Sequence, residues 1–162
     1  MSRNFEIISE KQFEKDFKLY NLKYEELKIP ERLTNKAAGY DFYCPINFTL
    51  KPSEIIKIPT GVKVYMNEDE MLMIVIRSST GFKYNVRMTN QVGIIDSDYY
   101  NNTYNEGHIF VSIQNHSDKD FLINKGDRIA QGIFQKYLLA DYEENKKNNR
   151  VGGLGSTNGY EE

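Results

Sequence analysis

Between Ala38 and Phe134 the chain is a succession of short runs rich in β-branched and aromatic residues, each closed by turn formers. Tyr40, Phe42 and Cys44 alternate with Asp41 and Tyr43, while Phe48 to Leu50 enters the turn Lys51-Pro52-Ser53 and Glu54 to Ile58 leaves it. Val62 to Met66, Leu72 to Ile76, Ile109 to Ile113 and Ile129 to Phe134 repeat the pattern. Side chains of this kind pack well on a pleated, half-buried surface. Pro59-Thr60-Gly61, Asn115-His116-Ser117 and Asn124-Lys125-Gly126-Asp127 supply the residues that tight turns favour. Many short strands at near-regular spacing predict an all-β antiparallel sandwich or jelly-roll barrel rather than a βαβ fold.

Two segments fall outside that pattern. Ser9-Glu10-Lys11-Gln12 fits a capping box, with Ser9 as N-cap, and Phe13 and Phe17 fall on one face. Residues 10–17 therefore read as a short amphipathic helix, a packing decoration on the β domain. At the other end, residues 141–150 are polar and charged, and residues 152–159 are glycine-rich with hydroxyls. Such a segment is either a disordered tail or a flexible arm whose N–H groups and hydroxyls close over an anion. The expected organisation is a β domain over residues 1–140 and a linker with a mobile C-terminal arm over 141–162.

The balance of 21 basic against 23 acidic residues in 162, a formal charge of −2, argues against a polybasic nucleic-acid surface. It leaves room for a small anionic ligand, which needs only a few cations in one place. The single cysteine, Cys44, excludes an internal disulfide and points to a reducing compartment or to indifference to redox. The longest apolar run, Met71 to Ile76, is far short of the ~18 residues of a membrane span. The first residues also lack the apolar core of a secretory signal. A cytoplasmic location is the expectation.

Few familiar constellations are present. The glycine-rich tail lacks the lysine of a P-loop. His108 and His116 have no accompanying cysteine and read as surface or hydrogen-bonding residues rather than zinc ligands. Arg77-Ser78-Ser79, directly after the apolar run, offers a guanidinium and hydroxyls suited to phosphate oxygens, or else begins a helix. Gly93-Ile94-Ile95-Asp96-Ser97-Asp98-Tyr99 reads either as a carboxylate-bearing turn or as a general base beside a stacking ring. The fragments taken singly leave function open.

In order, however, five segments resemble the motifs of the trimeric all-β deoxyuridine triphosphate nucleotidohydrolases (dUTPases). They are Ala38-Gly39-Tyr40-Asp41-Phe42; Arg77-Ser78-Ser79; Asn90 with Gly93 to Tyr99; Gly126-Asp127-Arg128-Ile129-Ala130-Gln131; and Arg150 with Gly152-Gly153-Leu154-Gly155-Ser156-Thr157. The resemblance spans residues 38–159. It implies a jelly-roll (β-clip) barrel, a homotrimer with active sites shared between subunits, and Mg²⁺ on the substrate triphosphate. The implied reaction converts dUTP and water to dUMP and pyrophosphate, keeping uracil out of DNA and supplying dUMP for thymidylate synthesis.

By the same resemblance, Asp96 is the general base and Tyr99 sets its ring against the deoxyribose. Asn90, Gly93, Ile94, Ile95 and Phe110 belong to the hairpin that reads uracil. Arg77, Ser78, Ser79 and Gln131 bind phosphate, with Arg77 and Ser78 also supporting the leaving group. Asp41 organises the water shell of Mg²⁺ without ligating it directly, and Arg150, Leu154, Gly155, Ser156 and Thr157 close over the nucleotide. Three departures stand out. Leu154 occupies the place of a stacking Phe, for which Tyr142 or Tyr160 of another subunit is a candidate substitute. The spacing from Arg150 is short and Asn158 interrupts the usual ending. Residues 100–107 lengthen the third-motif hairpin into an expected surface loop, reaching a neighbouring subunit or a protein partner.

Two rival readings accompany the resemblance. A dCTP deaminase of the same fold would need a catalytic glutamate, for which Glu106 is available. A nucleotide-gated regulatory protein would use the long loop.

Overall fold

The computed structural model describes residues 3–142. Its strands are β1 (Asn4–Ile7), β2 (Tyr40–Tyr43), β3 (Phe48–Leu50), β4 (Ile55–Pro59), β5 (Val62–Tyr65), β6 (Glu70–Ile76), β7 (Val86–Met88), β8 (Gly93–Asp96), β9 (Phe110–Asn115), β10 (Phe121–Ile123) and β11 (Arg128–Lys136). Two short helices, α1 (Glu10–Asp16) and α2 (Ser78–Tyr84), complete the list of longer elements. All strand pairs are antiparallel. The sheets run β2-β11-β6-β8, β4-β9-β7, β1-β5 and β10-β3. This is an all-β fold of jelly-roll type built from separate small sheets.

The alternating pattern does what its period requires. In β9, Val111, Ile113 and Asn115 face inward while Phe110, Ser112 and Gln114 are partly exposed. Phe42, Ile58, Leu72, Ile74, Val86, Val111, Ile113 and Ile129 meet in one core. Cys44 lies in it too, and burial pushes its thiol up to about 12, so the group is inert packing rather than a redox handle. Among the described residues no helix is long and apolar enough to cross a membrane.

Strand β6 begins with an acid on its buried face. Glu70 is held by Arg3, whose Nε donates at 2.9 Å, and by the Asn67 backbone N–H at 3.2 Å. The Arg3 hydrogen bond, outweighing burial, lowers the Glu70 carboxyl to about 2.

Several local expectations need correction. The 93–96 stretch is an edge strand, because β6 offers it a partner along its first half, and the carboxylate-bearing turn follows it as the 3₁₀ turn Ser97–Tyr99. Strands β1, β7 and β10 are too short to show a period. Arg77 is the helix-cap residue, and Ser78 and Ser79 are the first residues of α2. Helix α1 forms as expected, and Ser9 Oγ accepts the Gln12 N–H at 3.2 Å. The other half of the capping box does not form. Gln12 turns to Asp16, and the Ser9 N–H donates to Glu106 at 3.0 Å.

His108 is not a surface residue. It is fully buried, its Nδ1 donating to Asp16 at 2.5 Å and its Nε2 accepting the Gly61 N–H at 2.8 Å. The Gly61 bond requires Nε2 to be unprotonated, so the ring is neutral. Burial lowers its pKa below the ordinary 6.5, against the pull of Asp16 and Glu106. The unfolded chain therefore binds the extra proton first. Stability is complete above pH 6.5 and falls as pH drops below it, until the lowered native pKa is passed. Thermal unfolding should show the melting temperature falling between about pH 7 and pH 5.5, with a flatter profile in His108→Gln. Equal slopes in the two proteins would assign the loss to other groups.

Candidate active site

The four-stranded sheet ends at β8, and β7 covers only the second half of β9. The open edge of β8 and the uncovered start of β9 therefore face one another across a gap. This gap is a pocket of about 180 Å³ lined by Ile74, Met88, Asn90, Gly93, Ile94, Ile95, Asp96, Tyr99, Ile109 and Phe110.

Backbone geometry decides what that pocket offers. The Ile109 N–H donates to Val62 O at 2.9 Å and Ile109 O accepts from Thr60 N at 3.2 Å, both on the side away from the gap. Neighbouring residues of an antiparallel strand turn their backbone groups to opposite edges. The N–H and C=O of Phe110 thus point into the pocket. Ser112, of the same parity, sends its carbonyl that way to Thr89 N at 3.0 Å. Asn90 enters from the tight turn before β8, where Val92 N donates to Asn90 O at 2.6 Å. Its amide lies close to Gly93, where a Cβ would meet Asn90 Nδ2 at an ordinary contact distance of 3.5 Å. A donor and acceptor pair on fixed backbone beside an amide suits a planar heterocycle with its own donors and acceptors on one edge.

Tyr99 forms the end wall. It is nearly buried, and its hydroxyl donates to His108 O at 3.0 Å while accepting from Asn105 Nδ2 at 2.8 Å. Asp96 is exposed at the end of β8, opposite Met71.

A second group gathers at the other end of β6. Asp41 accepts from Arg77 Nε at 3.1 Å through one oxygen and from Arg128 at 3.1 Å through the other. Arg77 also donates to the Arg128 carbonyl at 3.4 Å. A register shift between Arg128 and Ala130 re-aims Arg128 toward β2. Gln131 lies opposite both Asp41 and Val75, and Gly39 leaves it space, since a Cβ there would come within 2.4 Å of its Oε1. Ser78 and Ser79 stand exposed beside Arg77. Two guanidiniums fixed by one carboxylate, with two hydroxyls and an amide nearby, make a site for an oxyanion.

A family model described as dUTPase matches residues 25–158. The chain belongs to the dUTPase family. It is 46% identical over 132 residues to the deoxyuridine 5'-triphosphate nucleotidohydrolase of Lactococcus lactis subsp. lactis, covering 81% of this chain and 88% of that one. The nucleotidohydrolase of Desulfitobacterium hafniense is 32% identical over 137 residues, covering 80% and 87%. The dUTPase from Streptococcus mutans superposes with a TM-score of 0.70 at 38% identity, covering 86% of this chain and 99% of that chain. The dUTPase of phage phi11 of S. aureus shares the fold, with a TM-score of 0.68 at 19% identity. A mutant form of that phage dUTPase coordinates a structural Mg(II) ion.

Against the dUTPase motifs, the structure brings Asn90, Gly93, Ile94, Ile95, Asp96, Tyr99 and Phe110 together in one pocket. It brings Asp41, Arg77, Ser78, Ser79 and Gln131 together elsewhere. It does not join the two groups. Asp96 is level with Met71 and Arg77 follows Ile76, so about 20 Å of strand separates them at ~3.3 Å per residue. Arg150, Leu154, Gly155, Ser156, Thr157 and Tyr160 lie outside the described residues, and Tyr142 is 97% exposed. Arg128, three positions before Gln131 in the same motif, joins this second cluster through Asp41, although the sequence did not single it out.

Asp41 stands between two like charges, so its removal leaves the arginines facing each other. Asp41→Ala should lower the unfolding free energy in urea by about 1–3 kcal/mol. An unchanged urea midpoint would mean that the arginines keep their places without it.

Proposed function

We propose that this chain hydrolyses dUTP to dUMP and pyrophosphate at a site completed by a second copy of itself within a homotrimer. The reading rests above all on the gathering of Asn90, Gly93 to Asp96, Tyr99 and Phe110 round one pocket. Uracil lies between the β8 edge and Phe110, where N–H and C=O groups match its edge and mismatch the reversed pattern of cytosine. The small pocket refuses the methyl of thymine. The deoxyribose rests on Tyr99, whose tethered ring leaves no space for a 2′-hydroxyl.

With the base so placed, Asp96 lies on the side of the α-phosphate. It orients a water molecule and takes its proton as the oxygen attacks the α-phosphorus in line. The bond from that phosphorus to the α,β-bridging oxygen breaks, and pyrophosphate leaves with the electron pair. Arg77, Ser78, Ser79 and Gln131 of another subunit take up the charge on the departing oxygens, helping to the extent that they bind it better than the ground state. The ~20 Å between Asp96 and Arg77 within one chain is the reason a second copy is required. Arg150, Leu154, Gly155, Ser156 and Thr157 are assigned to closure over the nucleotide.

Among the described residues no group of three or more His, Cys, Asp or Glu side chains is placed to hold a metal ion. An Mg²⁺ carried by the triphosphate would supply charge neutralisation there. Asp41 keeps lone pairs beyond the two arginine bonds and has a place in such an ion's water shell.

The deaminase alternative loses its candidate acid–base group. Glu106 accepts from the Ser9 backbone at 3.0 Å and pairs with Lys63 at 3.5 Å, and it does not line the pocket.

Steady-state assays on dUTP, dCTP, dTTP and UTP, with and without Mg²⁺, test the proposal. Pyrophosphate release from dUTP is expected, with no ammonia from dCTP. Asp96→Asn should lower kcat by about 10²–10⁴-fold while the trimer and nucleotide binding persist. Parent-rate turnover in that variant would overturn the assignment of the base.

A further inference from the structure

Behind Tyr99 the chain builds something the hydrolytic site does not itself need. Residues 100–107 form a loop that keeps Asn101, Thr103 and Tyr104 exposed. They fold back on the N-terminal segment, with Asn102 and Asn105 buried. Asn102 Nδ2 donates to Tyr99 O at 2.7 Å, and its Oδ1 accepts from the Asn105 N–H at 3.1 Å. Asn105 Nδ2 donates to the Tyr99 hydroxyl, and His108 N donates to Asn105 O at 2.9 Å. The loop closes through Glu106 and Gly107, both at positive φ (59° and 81°). A Cβ on Gly107 would lie 2.6 Å from Tyr99 O, so only glycine allows the loop to come this close.

Helix α1 pins this network at both of its ends. At its start, the Ser9 N–H and hydroxyl both donate to the Glu106 carboxylate. At its end, Asp16 accepts from His108 Nδ1 at 2.5 Å and from Gln12 at 2.6 Å. The His108 ring lies 4.3 Å from that of Phe110, between centroids, and 6.0 Å from that of Phe17 on α1's last turn. Lys63 of β5 donates to Asn101 at 2.8 Å, and Tyr100 donates to Glu6 of β1 at 2.7 Å. The two residues that bound the base-and-sugar end of the pocket, Tyr99 and Phe110, are thus backed by one element outside the sheets.

We propose that α1 and the 100–107 loop form a clamp, with Asp16 and His108 as positioning residues, that holds the Tyr99 wall rigid and so sets discrimination between deoxyribose and ribose. The proposal rests on the dUTPase reading of the pocket. Exclusion of a hydroxyl by contact works only if the excluding ring cannot retreat, and the Tyr99 ring is held by its hydroxyl to the His108 carbonyl. His108 is in turn fixed from two sides, by Gly61 and Asp16, with the Glu106 turn next to it. Loosening the α1 end gives the ring room to yield to a 2′-hydroxyl, while Asp96 and the phosphate ligands stay in place. The clamp therefore acts on binding and specificity rather than on the chemical step.

The test compares dUTP and UTP kinetics in Asp16→Ala, Asp16→Asn and Asp16→Ala with Tyr99→Phe. In Asp16→Ala the ratio of kcat/KM for dUTP over UTP should fall about tenfold or more, with kcat on dUTP changing less than about threefold. Asp16→Asn, which keeps an acceptor for His108, should recover most of the ratio. In the Tyr99→Phe background, where the ring is already released, Asp16→Ala should have no further effect on it. A ratio within about twofold of the parent in Asp16→Ala, or equal losses on both nucleotides, would overturn the clamp. So would an undiminished Asp16→Ala effect in the Tyr99→Phe background. If Asp16→Ala does not fold, Glu106→Ala cuts the other pin and is judged by the same ratio. Failure of the parent chain to hydrolyse dUTP at all would be a failure of the functional reading, separate from these outcomes.

Discussion

Strand β6 is hydrogen-bonded to β11 along its whole length and to β8 along only its first part. That unequal cover fixes the arrangement of everything chemical in the molecule. Where β8 runs, its free edge becomes one wall of the pocket, and Asp96 is delivered to the level of Met71. Where β8 is absent, the strand emerges as Arg77 beside Asp41 and Arg128, and α2 begins. A one-residue slip of β8 on β6 would turn Ile94 and Ile95 to the opposite faces and carry Asp96 with them. The register is held against that slip by Leu72 and Ile74, which are fully buried on the face that β6 turns to the core.

The electrostatics follow from the same division. A chain with a formal charge of −2 has no field to spend on a triphosphate, so the attraction has to be local. Under the proposed function its source is the pair of guanidiniums that Asp41 fixes at 3.1 Å each, neutralising part of their charge. Fixed forks bind oxyanions with better geometry than mobile lysines do, and they lose less side-chain freedom in doing so. The ordered pair therefore substitutes for the broad basic surface the composition lacks.

Much of the fold was legible because β9 alternates with period two, β6 is an unbroken apolar run, and turn residues separate many of the strands. What escaped was pairing that only tertiary contact creates. Val86–Met88 and Phe121–Ile123 are too short for a period, and Gly93–Asp96 carries a glycine and an acid that weaken its strand signal. In the site, Asp96, Arg77 and Tyr99 were legible through their motifs. Arg128 was not, since nothing in its identity tells that a register shift turns it onto Asp41. For His108 the hydrogen-bonding reading holds, but the sequence did not show its burial because its partners, Asp16 and Gly61, are distant along the chain.

The part of recognition that no side-chain pattern can announce is the backbone of β9. Phe110 contributes its N–H and C=O, and any residue but proline carries those groups. Their direction is decided one residue earlier, where Ile109 commits its own pair to Val62 and Thr60. What the pocket offers on this side thus depends on the parity of a strand, and parity depends on where the turn before it ends. That turn closes at Gly107, at the foot of the loop that α1 holds down. A helix whose sequence shows only two phenylalanines and a cap is therefore mechanically joined to the Tyr99 and Phe110 walls of the pocket. Its burial of Phe17 against His108 helps keep β9 in phase with the pocket.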